Sequence, residues 1–560
     1  MERLAPSKDD YDDTHDISLI HNLSSFRFIM LGASFSGGLA ALCLLASSAI
    51  FMKGLYNLFF HPLANVPGPF WARASGVPSW YYACRGDRHI WLRKHFQTYG
   101  YRVRVEPNTV VFCDPQAYAD VYGTKSNVRR AHFYEALMRN AEDINTMSCI
   151  DVAGHARRRK HLNLCFNERS IRAASSFVVN HVDRWIAIIT GEIRNGNEWS
   201  DPTNISDKID ALVFDIMADL GFGKSFDIKE PGDNPFKSLP HDISTYVRFS
   251  YIMSRVPFIE FLLWLKPRGL DRLIEIISPP AAQNYNRFVY DSVTERIALH
   301  KEQENKPEEE RRHDMFYFLA EARDPDTGAL VYTEDDLRAE SSLLIIAGSD
   351  TTGTAFSGFF FYITRDAERY DKVVEEIRTT FRSLDDIIYG PTLQSCTYLK
   401  ACVDEAMRLV PAGASELPRE ILAGGLQIKD EFYPAGTVVG AAPWTNSHDT
   451  NVYGDIDAFR PERWILDESR GVTKQDIARV RAGFHPFLSG PTSCLGKNLA
   501  MAEILITLAR TLYQLDVRRA PGSILGGGGL TDPNKMRIVD GYISMRQGPE
   551  VQFRKRRFGA

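Results

Sequence analysis

A loop around one cysteine, Cys494, constrains this chain more than any other feature. Glycine and proline residues punctuate the loop, and the run that follows it, Lys497–Leu512, has the composition of a helix. A thiolate at a helix N-terminus is stabilised by free backbone N–H groups and by the helix dipole. Gly490 and Gly496 let the backbone wrap closely around the sulfur, and Phe487 adds a flat apolar side chain. We interpret the loop as presenting an anionic sulfur to a metal in a flat apolar macrocycle. The spacing Phe-x-x-Gly-x-x-x-Cys-x-Gly disfavours the alternative, a buried free cysteine.

The stretch from Phe484 to Glu503 resembles the haem-binding loop of the cytochrome P-450 family. In that resemblance Cys494 matches the axial ligand of the haem iron, and Phe487, Gly490 and Gly496 match residues of the loop that holds the cofactor. The resemblance implies haem b (iron protoporphyrin IX).

Three basic residues match positions that meet the haem propionates in this family: His155, Arg159 and Arg419. One position of the cysteine loop departs from the family pattern. Where the family usually has Arg or His, two residues before the cysteine, this chain has Thr492. Because that cation normally helps to neutralise a propionate, His155, Arg159 and Arg419 would have to hold most of the propionate charge.

A second motif, Ala347-Gly348-Ser349-Asp350-Thr351-Thr352, lies within a long apolar run of helical character. Gly348 weakens a helix, and hydroxyl groups compete for backbone carbonyls, so we expect the hydrogen-bond ladder to open locally. Alone, the six residues favour a helix with a satisfied, buried Ser/Thr patch. Together with the cysteine loop it resembles the family's oxygen-activating helix. Asp350 and Thr351 then match the acid–alcohol pair that delivers protons, and the small Ala347 and Gly348 would leave room for oxygen and substrate.

A third pair of motifs concerns structure rather than chemistry. Glu405 and Arg408 lie three residues apart on one predicted helix face, which alone indicates little more than a surface ion pair. Together with Pro461-Glu462-Arg463-Trp464 they resemble paired motifs of the family, in which Glu405, Arg408 and Arg463 form a buried triad. The resemblance implies that this triad locks the segment leading to the cysteine loop.

The N-terminal region predicts a membrane anchor. Residues 1–27 are polar and acidic, whereas 28–52 contain no charged residue and are long enough, at about 1.5 Å per residue, for a bilayer core of about 30 Å. A cleaved signal peptide is the alternative, which the length of the run and the acidic leader disfavour. We predict a polar tail (1–27), a transmembrane anchor (28–52), a proline-rich linker (53–70) and a haem-thiolate domain (71–560). Lys53 follows the anchor, which favours a lumenal N-terminus and a cytosolic body.

Beyond the linker, hydrophobic periodicity predicts a mainly α-helical body with small β-sheets. Helical patterns dominate from about 170 to 299 and from 333 to 384, and alternation over 101–112 predicts a hairpin. We expect a flexible joint at 526–529 and a closing hairpin over 536–553. This organisation matches the cytochrome P-450 fold over essentially the whole chain after the anchor.

Composition excludes some classes of function. A net charge of -5 gives no support to nucleic-acid binding. The eight cysteines are scattered without a Cys-x-x-Cys pair, which argues against a zinc site and a disulfide framework. No Rossmann or flavin motif appears in the sequence, so electrons for a redox reaction must come from a separate protein.

The resemblance implies a fungal, microsomal monooxygenase, anchored by one span in the endoplasmic reticulum membrane with its catalytic domain in the cytosol. Its partners would be NADPH-cytochrome reductase, with cytochrome b5 as an additional donor, and a lipophilic substrate such as a terpenoid, polyketide or alkaloid. We expect 131–150 and 411–417 to line the pocket, and Lys497, Arg157, Arg158 and Lys160 to form the docking face. Two alternatives remain: a haem-thiolate enzyme that rearranges or dehydrates its substrate, and a haem-binding sensor or carrier.

Overall fold

A computed structural model describes residues 41–138, 144–193, 198–324 and 327–556, and the chain divides into two units after Ala64. In the described part of the first unit one helix, α1 (Ala41–Phe59), has a mean hydropathy of 1.5. At about 28 Å it is long and apolar enough to cross a bilayer. The predicted tail and the first half of the predicted anchor lie outside the described residues.

After α1 the predicted proline-rich linker (53–70) forms turns rather than an extended chain. Helix α1 continues to Phe59, past Met52, and the chain then folds into turns. The N–H of His61 donates to the carbonyl of Tyr56, and that of Ala64 donates to the carbonyl of His61. Proline fixes φ near -65°, which is compatible with turns as well as with extended chain, so the proline content alone did not distinguish them.

The second unit is built mainly of α-helices, as the periodicity predicted. In chain order they are α2 (Phe70–Ala74), α3 (Val77–Arg85), α4 (Arg88–Tyr99), α5 (Pro115–Tyr122), α6 (Val152–Leu162), α7 (Glu168–Gly191), α8 (Ile205–Phe222), α9 (Leu239–Ser254), α10 (Ile259–Leu265), α11 (Leu270–Ile277), α12 (Pro280–Gln303), α13 (Met315–Ala320), α14 (Glu334–Ile363), α15 (Ala367–Thr380), α16 (Pro391–Gln394), α17 (Thr397–Leu409), α18 (Pro443–Asn446), α19 (Thr450–Tyr453), α20 (Lys474–Ala482) and α21 (Lys497–Gln514).

The strands are short and form small sheets. They are β1 (Arg102–Glu106), β2 (Thr109–Phe112), β3 (Val128–Arg130), β4 (Thr203–Asn204), β5 (Arg419–Ile421), β6 (Leu426–Ile428), β7 (Glu431–Tyr433), β8 (Val438–Ala441), β9 (Leu515–Arg519), β10 (Gly527–Gly529), β11 (Asp532–Met536), β12 (Val539–Gly541), β13 (Ile543–Met545) and β14 (Glu550–Lys555). The largest sheet has the order β1-β2-β8-β5-β3, and its β1–β2 pair is the hairpin predicted over 101–112.

Helix α14 lies in the core of the second unit. A capping box between Thr333 and Asp336 begins the helix. Beyond it, α14 is apolar on nearly all sides, which is typical of a helix enclosed by others. It packs against α8, α12, α17 and α21. The sequence therefore places Asp350 and Thr351 at mid-core, on a helix that contacts the one following Cys494.

Two C-terminal predictions were wrong in detail. The glycines at 526–529 are not a free joint, because β10 pairs with β11 and a side chain at Gly527 would collide with the carbonyl of Pro533. The closing hairpin consists only of β12 and β13. Strand β14 instead joins β9 and β4, so the chain end pairs with distant strands.

Candidate active site: the cysteine loop and the distal helix

The loop around Cys494 is closed by a hydrogen bond from its own N–H to the carbonyl of Phe487, at 2.8 Å. Gly490 has a φ of +64°, and a side chain there would collide with the carbonyl oxygen of Tyr122. Only glycine fits both requirements. Gly496 is the N-cap residue of α21, which begins at Lys497 as predicted. Phe487, Gly490 and Gly496 thus shape the loop from three sides.

Cys494 is exposed to solvent, although protein surrounds its thiol on most sides. In the protein alone, burial raises its pKa and outweighs the N–H groups of Gly496 and Lys497 and the charge of Arg159, which act in the opposite direction. Because a coordinated thiol is deprotonated outright, a metal cation would reverse this balance. The sulfur therefore suits metal ligation better than it suits free thiolate chemistry.

The three predicted propionate contacts lie together. Arg159 donates to the carbonyl and hydroxyl oxygens of Ser493, at 2.6 and 2.9 Å. Arg419 donates to the hydroxyl of Thr492 at 2.9 Å and to that of Tyr134 at 3.0 Å. His155 is buried at the start of α6. The loop and the cations thus share one surface, next to the cysteine.

A fourth basic residue of this cluster, Arg130, was missed by the sequence reasoning. It faces Arg419 across the antiparallel strands β3 and β5. It donates to the carbonyl of Thr146, and its buried Nε has no partner within the described part of the chain. Burial lowers the pKa of Arg130 to about 10. Burial, together with the charges of Arg130, Arg159 and Arg419, lowers the pKa of His155 to about 3.

This cluster fits the propionates of haem. In the described ranges Arg130, Arg159 and Arg419 have no carboxylate within ion-pair distance, and His155 carries an orphaned Nε2. Neighbouring cations without counter-charges repel and so destabilise one another. A ligand with two negative charges would relieve this repulsion. These hydrogen-bond donors lie beside an exposed cysteine sulfur. Together they match a metal-containing macrocycle that carries carboxylate groups.

The distal motif lies on an uninterrupted α-helix, so the predicted local opening of α14 is wrong. The hydroxyl of Thr351 donates to the carbonyl of Ala347 at 2.7 Å, one turn back, without breaking the ladder. Ala347 is exposed and Thr351 half-buried among buried neighbours, so this side of α14 is the one available to a ligand. Gly348 instead faces α8, where a side chain would collide with Met217. Gly348 therefore serves helix packing, whereas Ala347 leaves room on the ligand side.

Asp350 points away from the exposed side. It is buried, and the hydroxyl of Ser244 on α9 lies 3.3 Å from its carboxylate. Burial, reinforced by the charge of Asp210 and opposed by that of Arg546, raises the pKa of Asp350 to about 7. The side chain is therefore an acid whose proton is exchangeable near neutral pH.

The predicted triad is fully formed. Arg408 binds Glu405 through two hydrogen bonds of 2.9 and 2.8 Å, and Arg463 donates to the same carboxylate at 3.0 Å. Trp464 adds a fourth donor at 3.0 Å. Arg408 also donates to the carbonyls of Ser447, Ile456 and Ala458, which fixes the segment between α18 and the Pro461 turn.

The expected docking face is only partly present. Arg158 turns inward and pairs with Asp336 at 2.8 Å and with Glu340 at 3.5 Å on α14, because the start of α14 is acidic. Arg157, Lys160 and Lys497 are exposed. None of these three has an ion-pair partner among the described residues, so they remain available to an acidic protein.

Comparison with known proteins gives one consistent result. Residues 68–525 match the sequence model of the family described as Cytochrome P450. Cytochrome P450 monooxygenase poxM of Penicillium oxalicum is 31% identical over 511 residues, which cover 90% of this chain and 93% of the relative. Cytochrome P450 monooxygenase apf7 of Gibberella fujikuroi is 32% identical over 523 residues, covering 90% of this chain and 95% of the relative.

Proposed function

The chain belongs to the cytochrome P450 family and is a haem-thiolate monooxygenase of fungal type, and from this premise we propose that it inserts one oxygen atom from O2 into a lipophilic small molecule of secondary metabolism. The observation that carries the proposal is the exposed sulfur of Cys494 beside four basic groups that lack carboxylate partners in the described residues. The finer assignments that follow rest on the same premise.

Haem b is the proposed cofactor. Cys494 would ligate its iron, and Arg130, His155, Arg159 and Arg419 would hold its propionates. The sequence has no Cys-x-x-Cys-His motif for covalent attachment, which supports a haem held by these contacts alone. Bound there, haem would activate dioxygen, with the thiolate favouring O–O cleavage.

The protein's own part of the reaction is proton supply and exclusion of water. Thr351 holds a hydroxyl proton on the ligand-facing side of α14, and Asp350 is a buried acid with a pKa of about 7. General acids work best when their pKa lies near the working pH. We assign Thr351 to hold and pass on the proton at Oγ1, and Asp350 to replace it. This pair disfavours the alternative of a non-oxygenating rearrangement, which needs no proton relay of this kind.

A separate redox partner follows from the lack of a flavin motif. NADPH-cytochrome reductase is the proposed donor, with cytochrome b5 as an additional one. The exposed cations Arg157, Lys160 and Lys497 would attract the acidic face of such a partner, an effect that weakens as salt screens the charges. Arg158 is not part of this face, because its side chain pairs with Asp336 on α14.

Membrane association is supported by two features, each within its own unit. In the first, α1 has the length and composition of a membrane span. In the second, Phe258, Phe261 and Trp264 are 58%, 56% and 55% exposed at the start of and within α10. The neighbouring α11 exposes three more aliphatic side chains, Leu273, Ile276 and Ile277. An exposed apolar patch of this kind suits the interface of a bilayer. We propose the endoplasmic reticulum membrane as its location.

The proposed substrate is lipophilic, because the segments expected to line the pocket bring aromatic groups together. Phe133 and Tyr134 from 131–150 form one buried cluster with Tyr251, and Tyr542 packs against it. We propose that this cluster lines the substrate pocket, where it would select apolar molecules by shape and provide few polar contacts.

The test uses yeast microsomes that carry the chain together with a reductase. Candidate terpenoids, polyketides and alkaloids are supplied with NADPH, and products are examined for a gain of one oxygen atom. Cys494→Ser should abolish both the product and the red-shifted carbon monoxide spectrum of thiolate-ligated haem, whereas Cys84→Ser, at a partly exposed cysteine outside the loop and the expected pocket segments, should leave both intact. Retention of that spectrum in Cys494→Ser would refute the site assignment.

A further inference from the structure

An ion pair outside the expected acid–alcohol motif lies directly against the distal helix. Arg546, in the loop between β13 and β14, pairs with Asp210 on α8. Its Nε also donates to the hydroxyl of Ser357 on α14, at 3.1 Å. The Arg546 side chain is 3% exposed and that of Asp210 is 22% exposed. Three separate elements are thus joined at this point.

Gly353 admits this ion pair to the surface of α14. A side chain at that position would collide with Nη2 of Arg546 and with Oδ1 of Asp210. Because residues three apart share one side of a helix, the pair lies about one turn from Asp350. No larger residue at 353 could keep this arrangement.

Asp350 forms no ion pair with any residue that the structure describes. Its carboxylate has one long hydrogen bond, from the uncharged Ser244 of α9. The charged groups that face it from the packed elements in the described ranges are Asp210 of α8 and Arg546 of the β13–β14 loop. Of these, Asp210 acts more strongly on Asp350 than Arg546 does. Both members of the ion pair thus act on the pKa of Asp350, and the negative one has the larger effect.

Asp350 is buried and Asp210 is only partly exposed, so each carboxylate disfavours ionisation of the other. Asp210 is bonded to a guanidinium and keeps its charge more readily than Asp350, which is bonded only to a hydroxyl. The proton of the pair therefore belongs mainly to Asp350.

We propose that Asp210 and Arg546 are positioning residues for the acid of the distal helix: their ion pair fixes a negative charge beside Asp350 and so keeps Asp350 loaded with a proton. The inference rests on the proposed function, in which Asp350 restores the proton that Thr351 passes on. Neither Asp210 nor Arg546 is assigned any contact with substrate or cofactor.

The test is a pH titration of Asp350 in the ferric, substrate-free enzyme by infrared difference spectroscopy. The carboxylic acid band of Asp350 is identified by its loss in Asp350→Asn. Asp210→Asn leaves Arg546 as the nearest charge and should lower the midpoint of the Asp350 titration by about 1–2 pH units. Arg546→Gln leaves Asp210 uncompensated and should raise it. Removal of both charges should give a midpoint between those of the single variants.

Matched controls separate charge from structure. Asp335→Asn removes an exposed carboxylate near the start of α14, far from Asp350, and should leave the midpoint unchanged. Asp210→Glu keeps the charge and should keep the midpoint close to that of the parent. A merely structural pair would not move the midpoint in opposite directions in the two single variants.

The outcomes decide the inference separately from the proposed function. A midpoint in Asp210→Asn equal to that of the parent would overturn it, and so would a shift of both single variants in the same direction. If Arg546→Gln fails to fold, Asp210→Asn and Asp210→Glu still decide the question. The titration needs no turnover, so an enzyme inactive on every candidate substrate would still give a result. In an active enzyme, the pH profile of product formed per NADPH should move to lower pH in Asp210→Asn.

Discussion

Arg130 and Arg419 are directly paired residues on adjacent antiparallel strands, so two guanidinium groups face each other beside the cysteine loop. Like charges opposite each other in a sheet destabilise the pair. Among the described residues each is held by neutral oxygens: Arg419 by Tyr134, Thr492 and the carbonyls of Leu417 and Pro418, and Arg130 by the carbonyl of Thr146. An anion between or beside the two groups would relieve this repulsion, and the haem propionates are the anions that the proposed function provides.

Arg130→Gln should therefore release haem faster. Loss of one charge-assisted hydrogen bond costs about 1.5–3 kcal/mol, which corresponds to roughly 10–100-fold in the rate of haem loss if the effect lies in dissociation. The measurement is transfer of haem to an apoprotein scavenger. Arg129→Gln is the matched control, because the neighbouring Arg129 is occupied by Glu420 at 3.0 Å. Equal rates in the two variants would show that Arg130 does not contact the cofactor.

Thr492 allows a test of whether an additional positive charge in the same cluster strengthens or weakens haem binding. In the haem-free protein Thr492→Arg adds a charge beside Arg419, so it should lower the free energy of unfolding. In the haem-loaded protein the new cation should slow haem loss, or at least not hasten it. Thr492→Val removes only the hydroxyl that accepts from Arg419 and should change haem loss far less than Arg419→Ala does. The comparison needs chemical unfolding of the haem-free form and scavenger kinetics of the loaded form. Faster haem loss from Thr492→Arg would contradict the proposed compensation.

The Glu405 triad predicts an acid-sensitive fold. Burial opposes ionisation of Glu405, but the charges of Arg408 and Arg463 more than offset it and hold its pKa below the usual range. Because the pKa of Glu405 is lower in the folded chain than in the unfolded chain, the unfolded chain takes up the proton at a higher pH. The stabilisation is therefore complete above the pKa of the unfolded chain. It is lost as the pH falls through the folded value.

Glu405→Gln should reduce the free energy of unfolding by about 3–5 kcal/mol near neutral pH, because it leaves two buried arginines without a counter-charge. The difference from the parent should shrink in acid, where the parent loses the same interaction. Glu368→Gln is the control, since Glu368 pairs with Lys372 on the surface and is 77% exposed. Denaturant unfolding at several pH values gives both quantities. An identical loss of stability at every pH would mean that shape, rather than charge, holds the triad.

The sequence predicted well whatever depends on neighbours along the chain. The cysteine loop, the start of α21 at Lys497 and the β1–β2 hairpin each follow from local turn and helix signals. The predicted opening at Gly348 failed because burial of α14 on nearly all sides stabilises an unbroken ladder, and Thr351 satisfies its hydroxyl within the helix.

What the sequence could not show depends on register and on packing between distant segments. Arg130 is opposite Arg419 only because β3 pairs with β5, and nothing local signals that register. The same holds for Arg158, which the acidic start of α14 turns away from the surface. Gly353 was not distinguished from other helix glycines, because its neighbours Asp210 and Arg546 come from distant parts of the chain.

The last prediction concerns how Thr351 couples electron flow to product. Its hydroxyl lies on the ligand-facing side of α14 and donates to Ala347 at 2.7 Å, so it is held in one orientation and can accept a proton donor's hydrogen bond. Thr351→Val keeps the shape of the side chain but removes the proton. NADPH should still be consumed, whereas product per NADPH should fall, by roughly 10²-fold if a general acid–base step is lost entirely, and hydrogen peroxide should appear in its place.

Two variants isolate the hydroxyl from its surroundings. Thr351→Ser keeps the hydroxyl and should remain coupled, and Thr352→Val alters the buried neighbour and should also remain coupled. Haem content, the carbon monoxide spectrum and substrate affinity should be the same in all of them, since Thr351 contacts neither the thiolate loop nor the cations around it among the described residues. The assay measures product, peroxide and NADPH together. If Thr351→Val stays fully coupled, the proton does not pass through Oγ1, and a hydroxyl of the substrate itself becomes the next group to test.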